Sequence, residues 1–529
     1  MLTFFVVVPV LIAVLLFTLA TNRIVRMIAI MFQSALFAAS VYLVRVTRDA
    51  DLYTIVGSYE NLLGITLRAS SLSAVLVLLT TFIFLVVTVY SFVYEEQDAK
   101  MFWFLMFILE AAFIGLFLSG DLFNIFVLIE VSTLVTVILA MYDRKNRNIF
   151  HGKIFLMTNL VSVQFFLLGL GYVYRLTGAM DIIRVTESLA GLDPTHLRLP
   201  YVLIMTAVAF KNTLIPFFSW TPKVRIYPQA PTVVAAVMSG LQAKTSIYLF
   251  ITFQDVFGPI AAHEIFLVIG IITGVFGAYM AICQTNIKNL LAYSTVSQTG
   301  MIIVGFSLQT QYAHIGGLYH IISHAMFKTA LFLCAGIIIR SYGTADLNKI
   351  RGVLRRMPVV GTATVAAVLG IVGAPLFIGS VSKYFIFEGN HPGMMALSIA
   401  MSLGTMVMFV KFSTIFFGQS DLKGISVVPE GTKAIPVVVM GVLCLLGGVL
   451  GTRLIYFLFR YVVVIDAWNY LYKSLIFIAV AVVGYLIYEK GIKKRAIFVR
   501  MGAANASFKM ICASMGVFLA SMLILVGLV

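Results

Sequence analysis

The chain has 529 residues, 61% of them hydrophobic and 11% charged, against about 45–50% apolar and about 25% charged in a soluble domain. Most of its surface must therefore face lipid, which excludes a soluble enzyme or a water-soluble binding module. The formal charge of +16 comes from basic residues scattered in short loops, so it reports membrane topology and not nucleic-acid binding.

The N-terminal stretch MLTFFVVVPVLIAVLLFTLATNR lacks a basic region ahead of its apolar run and a clear small-residue cleavage site, so it is expected to be a first span and not a removed signal. About 20 apolar residues cross a bilayer as a helix. On that measure sixteen segments follow one another: 4–20, 24–44, 71–93, 101–119, 121–141, 154–175, 200–219, 231–252, 264–283, 289–307, 312–340, 358–387, 393–418, 434–459, 467–488 and 507–528. The expected fold class is an all-α polytopic membrane protein. Basic loops follow the fifth, seventh, eleventh and fifteenth segments (DRKNRNIFHGK, Lys223 with Arg225, RSYGTADLNKIRGVLRRMP and EKGIKKRAIFVR), all odd-numbered. Cytoplasmic loops collect Lys and Arg, so both termini are predicted outside the cell membrane. The cysteines Cys283, Cys334, Cys444 and Cys512 lie far apart in apolar spans and read as small core residues.

Several spans carry ionisable residues. Glu110 and Glu130 lie in the fourth and fifth, Lys211 and Lys244 in the seventh and eighth, His320, His324 and Lys328 in the eleventh, Lys383 in the twelfth and Lys411 in the thirteenth. At ~1.5 Å per residue, Glu130 and Lys211 lie roughly 14–16 Å from their span starts, near mid-membrane. A central charge costs roughly 3 kcal/mol on insertion scales, so such a set needs a reason. Lys411 and Lys328 have snorkelling to the interface as a plain alternative, and Glu110 a hydrogen bond within the bundle. For Glu130, Lys211 and Lys244 the plain alternative is a fixed ion pair. His320, His324 and Lys328 are spaced i, i+4, i+8 and line one helix face. No acidic residue or cysteine accompanies the histidines at ligand spacing, so no metal site and no cofactor is expected.

Helix breakers sit beside these lysines. Pro216 follows Lys211 in AVAFKNTLIPFFSWTPK, and Gly373, Pro375 and Gly379 precede Lys383 in VLGIVGAPLFIGSVSKYFIF. A plain proline kink is the alternative, but interrupted helices at corresponding places in two repeats point to an ion site. The two breaks are five segments apart, and an odd number of helices per unit inverts the second unit. The expected organisation is an N-terminal three-helix segment (1–100), a first five-helix repeat (101–252), a second (264–418) and C-terminal helices (434–529).

Six stretches, in order, resemble one family: LSGDLFNIFVLIEVSTL (118–134), AFKNTLIPFFSWTPKVRIYPQAPT (209–232), LQAKTSIYLF (241–250), QTNIKNLLAYSTVSQTG (284–300), HIISHAMFKTALFLCAG (320–336) and GAPLFIGSVSK (373–383). It is that of the antiporter-like, proton-translocating subunits of complex I, membrane-bound hydrogenases and Mrp-type sodium/proton antiporters. The resemblance implies fourteen to sixteen helices, an inverted five-helix repeat and two discontinuous helices. It further implies partner membrane subunits, including antiporter-like homologues and small subunits, with protons and sodium as the transported ions. The family's functional residues match Glu130, Lys211, Lys244, His320, His324 and Lys383. Complex I members often read WLPxAH after the seventh helix; here WTPKVRIY places Tyr227 where that histidine would be, which leans toward the Mrp or hydrogenase branch.

The expected mechanism passes protons from Lys211, modulated by Glu130, to Lys244, then through His320 and His324 to Lys383, since imidazole both donates and accepts. Two rivals remain at this level: a stand-alone transporter of an organic solute, and a non-transporting scaffold of a redox complex. The chain carries no phosphate loop, dinucleotide fingerprint or nucleophile constellation, so any redox chemistry is expected to belong to partners.

Overall fold

The computed structural model describes residues 1–19, 22–57, 64–94, 99–142, 146–217, 226–388, 392–420, 434–493 and 507–528. The Lys223/Arg225 pair, the end of the seventh segment beyond Phe217, and much of the basic stretch 489–500 lie outside the described residues.

Apolar sequence in lipid must close its backbone hydrogen bonds within each segment, so it folds as helices. The chain begins with α1 (Leu2–Leu19) and α2 (Asn22–Val46), a hairpin of β1 (Leu52–Val56) and β2 (Ile65–Ala69), then α3 (Ser71–Tyr94) and α4 (Ala99–Leu118). Next come α5 (Leu122–Ala140), α6 (Asn146–Thr177), the short α7 (Ile182–Ala190) and α8 (Pro194–Lys211). The eighth segment is built from α9 (Thr232–Val237), a π turn (Met238–Gln242) and α10 (Ala243–Val256). Then follow α11 (His263–Ile282), α12 (Ile287–Ser307), α13 (Gln311–Tyr342), the single turn α14 (Val353–Arg356), α15 (Pro358–Val372) and α16 (Ile378–Ile386). The chain closes with α17 (Pro392–Ser413), α18 (Ile435–Val449), α19 (Gly451–Phe459), α20 (Ala467–Leu486) and α21 (Phe508–Leu528).

Each of the sixteen apolar segments contains helix among the described residues, but they are not sixteen equal crossings. Among the described residues, twelve helices are long and apolar enough to cross a membrane. Leu2–Thr18 and Pro358–Val372 are apolar but shorter, and α18 and α19 pass that test only as a pair bent by 91°. The segment expected as one span over 434–459 therefore turns at Leu450. Glycines at 447, 448 and 451 weaken the helix there, and a Cβ at Gly448 would strike the Leu376 carbonyl. Beyond the turn, the Phe457 carbonyl accepts from the Arg48 guanidinium (2.7 Å), which fixes α19 against the end of α2. Two boundaries also move outward. Asp193 caps α8 through the Thr195 N–H (2.7 Å), with Pro194 in its first turn, a strong start signal. α6 begins at Asn146, inside the stretch read as a basic loop.

The same local constructions occur twice, five segments apart. Isolated bridges join Asp121 to Asp181 and Asn286 to Asp346; 286 − 121 and 346 − 181 are both 165. Around the first, Leu122 N–H donates to the Met180 carbonyl and Ile182 N–H to that of Gly120; around the second, Ile287 donates to Ala345 and Leu347 to Thr285. Asp121 and Asn286 each cap the helix that follows. These contacts also put the turns after the fourth and sixth segments together, and those after the ninth and eleventh together, as strict alternation across the membrane requires.

Small residues set a close helix crossing. At the α11–α12 contact, a Cβ on Gly300 would lie 2.5 Å from the Gly270 carbonyl oxygen and 2.5 Å from the Gly274 nitrogen. Overpacking costs about 1–3 kcal/mol, and backbone atoms cannot turn aside. Gly300→Val is expected to lower stability by at least the upper end of that range, read as a drop in the detergent melting temperature; an unchanged melting point would show that the two helices are not in contact.

Candidate functional site

The two helix breaks are the frame of the site. α8 ends at Lys211 and the chain turns through Thr213 in the left-handed region (φ 57°). α15 ends at Val372 and turns through Gly373 (φ 81°). In both, an amide reaches back five residues: Leu214 N–H to the Ala209 carbonyl (3.0 Å) and Ala374 N–H to that of Leu369 (2.9 Å). Backbone groups freed at the first break find partners on neighbouring helices. Ile215 N–H donates to Thr273 Oγ1 of α11 (3.0 Å), and Ser246 Oγ of α10 donates to the Lys211 carbonyl (3.2 Å). At the second, Leu376 N–H donates to Tyr470 Oη of α20 (3.0 Å). This is what non-helical backbone at depth requires.

Lys211 is partly buried at the end of α8, with Nζ 3.4 Å from Thr133 Oγ1 of α5 and 3.4 Å from Asn159 Oδ1 of α6. Glu130, one turn before Thr133 on α5, is within electrostatic reach of Lys211. Two small cavities flank the lysine. One of about 20 Å³ is lined by Thr133, Asn159, Gln242 and Ser246. The other, about 10 Å³, is lined by Asn212, Tyr227, Thr295 and Thr299. Each is of the size that holds about one water, and polar enough to bind it. Gln242 and Tyr227, which line them, each hold a buried oxygen, Oε1 and Oη, with no hydrogen-bond partner among the described residues.

Lys244 lies one residue into α10 and is fully buried. Its Nζ meets His324 Nδ1 of α13 and donates to the Ser239 carbonyl (3.3 Å). The π turn Met238–Gln242 sits directly before it and widens the helix by about one residue per turn. A Cβ on Gly240 in that turn would lie 2.5 Å from Thr329 Oγ1 of α13, so glycine lets the widened turn press against α13. His320, one turn before His324 and fully buried, pairs Nδ1 with Ser382 Oγ of α16 (2.8 Å) and Nε2 with Gln298 Oε1 of α12 (3.1 Å). Beside Ser382, Lys383 donates to the Ile371 and Val372 carbonyls (both 3.0 Å). Its ammonium thus caps the broken C-terminus of α15, where carbonyl dipoles favour a cation.

Of the expected residues, Glu130 and Lys211 lie together at the first break, and Lys244, His324, His320 and Lys383 lie together up to the second. The second-tier residues divide. Lys328 is fully buried and bonded to Ser294 and to the Leu291 carbonyl (2.8 Å) of α12, so it does not snorkel. Lys411 donates to the Ile282 (2.7 Å) and Gln284 (2.6 Å) carbonyls and caps the end of α11. Glu110 is fully buried against Gln33 of α2. Pro216, Gly373 and Pro375 lie at the breaks, whereas Gly379 is inside α16. Sequence reasoning passed over Thr133, Asn159, Gln298 and Ser382, which hold the lysines and histidines. Their signal is faint: single polar residues in apolar helices.

A family described as NADH:quinone oxidoreductase/Mrp antiporter, transmembrane, matches residues 119–416, more than half of the chain and all six of these residues. The chain belongs to that family. Within it, a Na(+)/H(+) antiporter subunit of Alkalihalophilus pseudofirmus is 29% identical over 69% of this chain and 76% of its own length. An NADH-quinone oxidoreductase subunit of Desulforudis audaxviator is 30% identical over 66% of this chain and 72% of its own. Among solved structures, the Mrp complex from Dietzia sp. superposes with a TM-score of 0.81 at 23% identity, covering 90% of this chain and 99% of that one. The archaeal membrane-bound sulfane sulfur reductase does so at 0.79 and 21%, covering 92% and 99%. At such identity these two report the fold. The family places the protein among multi-pass, antiporter-like membrane proteins.

The Gln298–His320 contact can be tested directly. Removing one partner of a buried hydrogen bond costs about 1–3 kcal/mol. Gln298→Leu should destabilise the detergent-solubilised protein by that amount, measured by thermal unfolding, because His320 Nε2 loses its acceptor; no change would place the ring elsewhere.

Proposed function

We propose that the chain is the proton-translocating subunit of a multisubunit membrane complex, carrying protons along the mid-membrane file of Glu130, Lys211, Lys244, His324, His320 and Lys383. The single observation that carries this reading is the run of buried contacts that starts at Lys244. Lys244 touches His324, His320 one turn away pairs with Ser382 next to Lys383, and Lys211 adjoins two water-sized polar cavities. Fixed structural pairs would need no such connection, and a bulky solute would not fit cavities of about 10–20 Å³.

In this mechanism Lys211 carries the proton. Burial works against its charge and the Glu130 carboxylate works for it, so moving or neutralising Glu130 releases the proton into the cavity beside Tyr227 and Thr295. Lys244 takes it up and passes it to His324 Nδ1. The imidazole accepts on one nitrogen and donates from the other, so His324 and His320 relay it toward Ser382 and Lys383. Lys383 is then the gate of the second repeat, with units at 101–252 and 264–418 flanked by 1–100 and 434–529. The matched constructions 165 residues apart support two such units.

The complex sits in the cell membrane with both termini of the chain outside, as the basic loops indicate. Partners are other antiporter-like and small membrane subunits, and the proton flux is coupled either to sodium/proton antiport or to a redox module on a neighbouring subunit. The likeness to a Na(+)/H(+) antiporter subunit and to an NADH-quinone oxidoreductase subunit supports both forms of coupling.

Lys211→Ala should abolish coupled transport in membrane vesicles while the complex still assembles, and Glu130→Gln should reduce it severely, by about 10²-fold or more. Transport at the wild-type rate with Lys211→Ala would defeat the assignment. Loss of assembly with normal flux through the remaining complex would favour the scaffold reading.

A further inference from the structure

The far end of the file meets a cavity where α20 packs on the second break. A cavity of about 180 Å³, with room for several waters, runs between α16, α17 and α20 from Gly373 and Lys383 to Lys473. Four serines, Ser380, Ser398, Ser402 and Ser474, and two tyrosines, Tyr384 and Tyr470, face it among apolar side chains. α20 is fastened there by its own polar groups. Tyr470 Oη accepts from Leu376 N–H (3.0 Å) and pairs with Ser380 Oγ (2.9 Å). At the outer end Lys473 forms an ion pair with Glu388 and lies over the Tyr384 ring, 4.0 Å from its centroid. Asn469 Nδ2 donates to the other Glu388 oxygen (2.7 Å). The paired side chains are 29% and 22% exposed, whereas Lys383 is 9% exposed; the pair reaches the surface of the chain and Lys383 is set back from it.

We propose that Glu388 and Lys473 are the proton-exchanging pair at the mouth of an aqueous cleft that joins Lys383 to the membrane face carrying residues 460–466, so that α20, beyond the family-matched segment, completes the pathway. This rests on the function proposed above. The proton leaves the Lys383 ammonium for cleft water, passes to the Glu388 carboxylate and is lost from it to the medium. Only N–H and O–H bonds break and form. Lys473 holds the carboxylate at the mouth and supplies the charge that speeds its release of the proton. An apolar cleft of this size filled by a lipid chain is the competing state, and the serines and the two lysines argue for water.

The test uses the whole complex in vesicles of both orientations. Ser402→Cys should react with a charged, membrane-impermeant methanethiosulfonate from one face only, that of residues 460–466, above the background of the parent chain with its four cysteines. Glu388→Gln and Lys473→Ala should slow proton transport by about tenfold or more with the cleft still labelled, and Lys473→Arg should restore most of the rate. An unreactive Ser402→Cys, or one reached from the opposite face, would overturn the aqueous cleft, as would wild-type transport by Glu388→Gln for the pair. Labelling does not depend on transport. If Lys211→Ala transports normally, the file fails whatever the labelling shows; if Lys211→Ala is dead and Glu388→Gln is not, only the pair fails.

Discussion

Hydrocarbon offers no hydrogen bonds, and the rest of this structure follows from how two interrupted helices live with that. At Lys211–Phe217 and at Gly373–Phe377 the helical ladder stops at depth. Every freed backbone group must then be met by a side chain from elsewhere: Thr273, Ser246 and Tyr470 do this for amides and carbonyls, and Lys383 does it for the last carbonyls of α15. The breaks therefore draw polar residues into the middle of the bundle. Once those residues are present, charge and water have a place to stay.

The charged groups are held by different devices. Lys211 rests on neutral oxygens of α5 and α6, with a carboxylate nearby. Lys244 rests on an imidazole, and Lys383 on a helix terminus. The carboxylate near Lys211 is itself unsaturated, since Glu130 Oε1 has no hydrogen-bond partner among the described residues. A group held by neutral acceptors can lose its proton without stranding an opposite charge, which a tightly closed ion pair cannot do at low dielectric. Lys328 and Lys411 look the same by composition but are bonded to backbone carbonyls of neighbouring segments.

Much of this was legible in the sequence because lipid enforces a simple code. Apolar length located the helices, and Pro216, Gly373 and Pro375 located the breaks. Charge at depth located Glu130, Lys211, Lys244, His320, His324 and Lys383. What escaped had weak or competing signals. The hairpin 52–69 is short and alternates only loosely, and α7 lies on the surface with a pattern too brief to count. The bend at Leu450 arises from glycines meeting another segment's backbone, a tertiary fact. Asn159, Gln298 and Ser382 are single polar residues whose meaning depends on who faces them. Tyr227 was visible only as a departure from a motif; in the fold its ring stacks on Phe332 and the residue lines the cavity beside Lys211.

The π turn at Met238–Gln242 gives the eighth segment an unusual tolerance of changes in length. An α-helix advances about 100° and ~1.5 Å per residue, and a π turn absorbs one extra residue while the helices on either side keep their phase. Deleting a single codon within it would let the segment close to a plain helix with Lys244 still facing His324, whereas a codon lost from an unbroken helix would turn everything beyond it by roughly a quarter-turn. A descendant one residue shorter at this point would keep the contact at its centre.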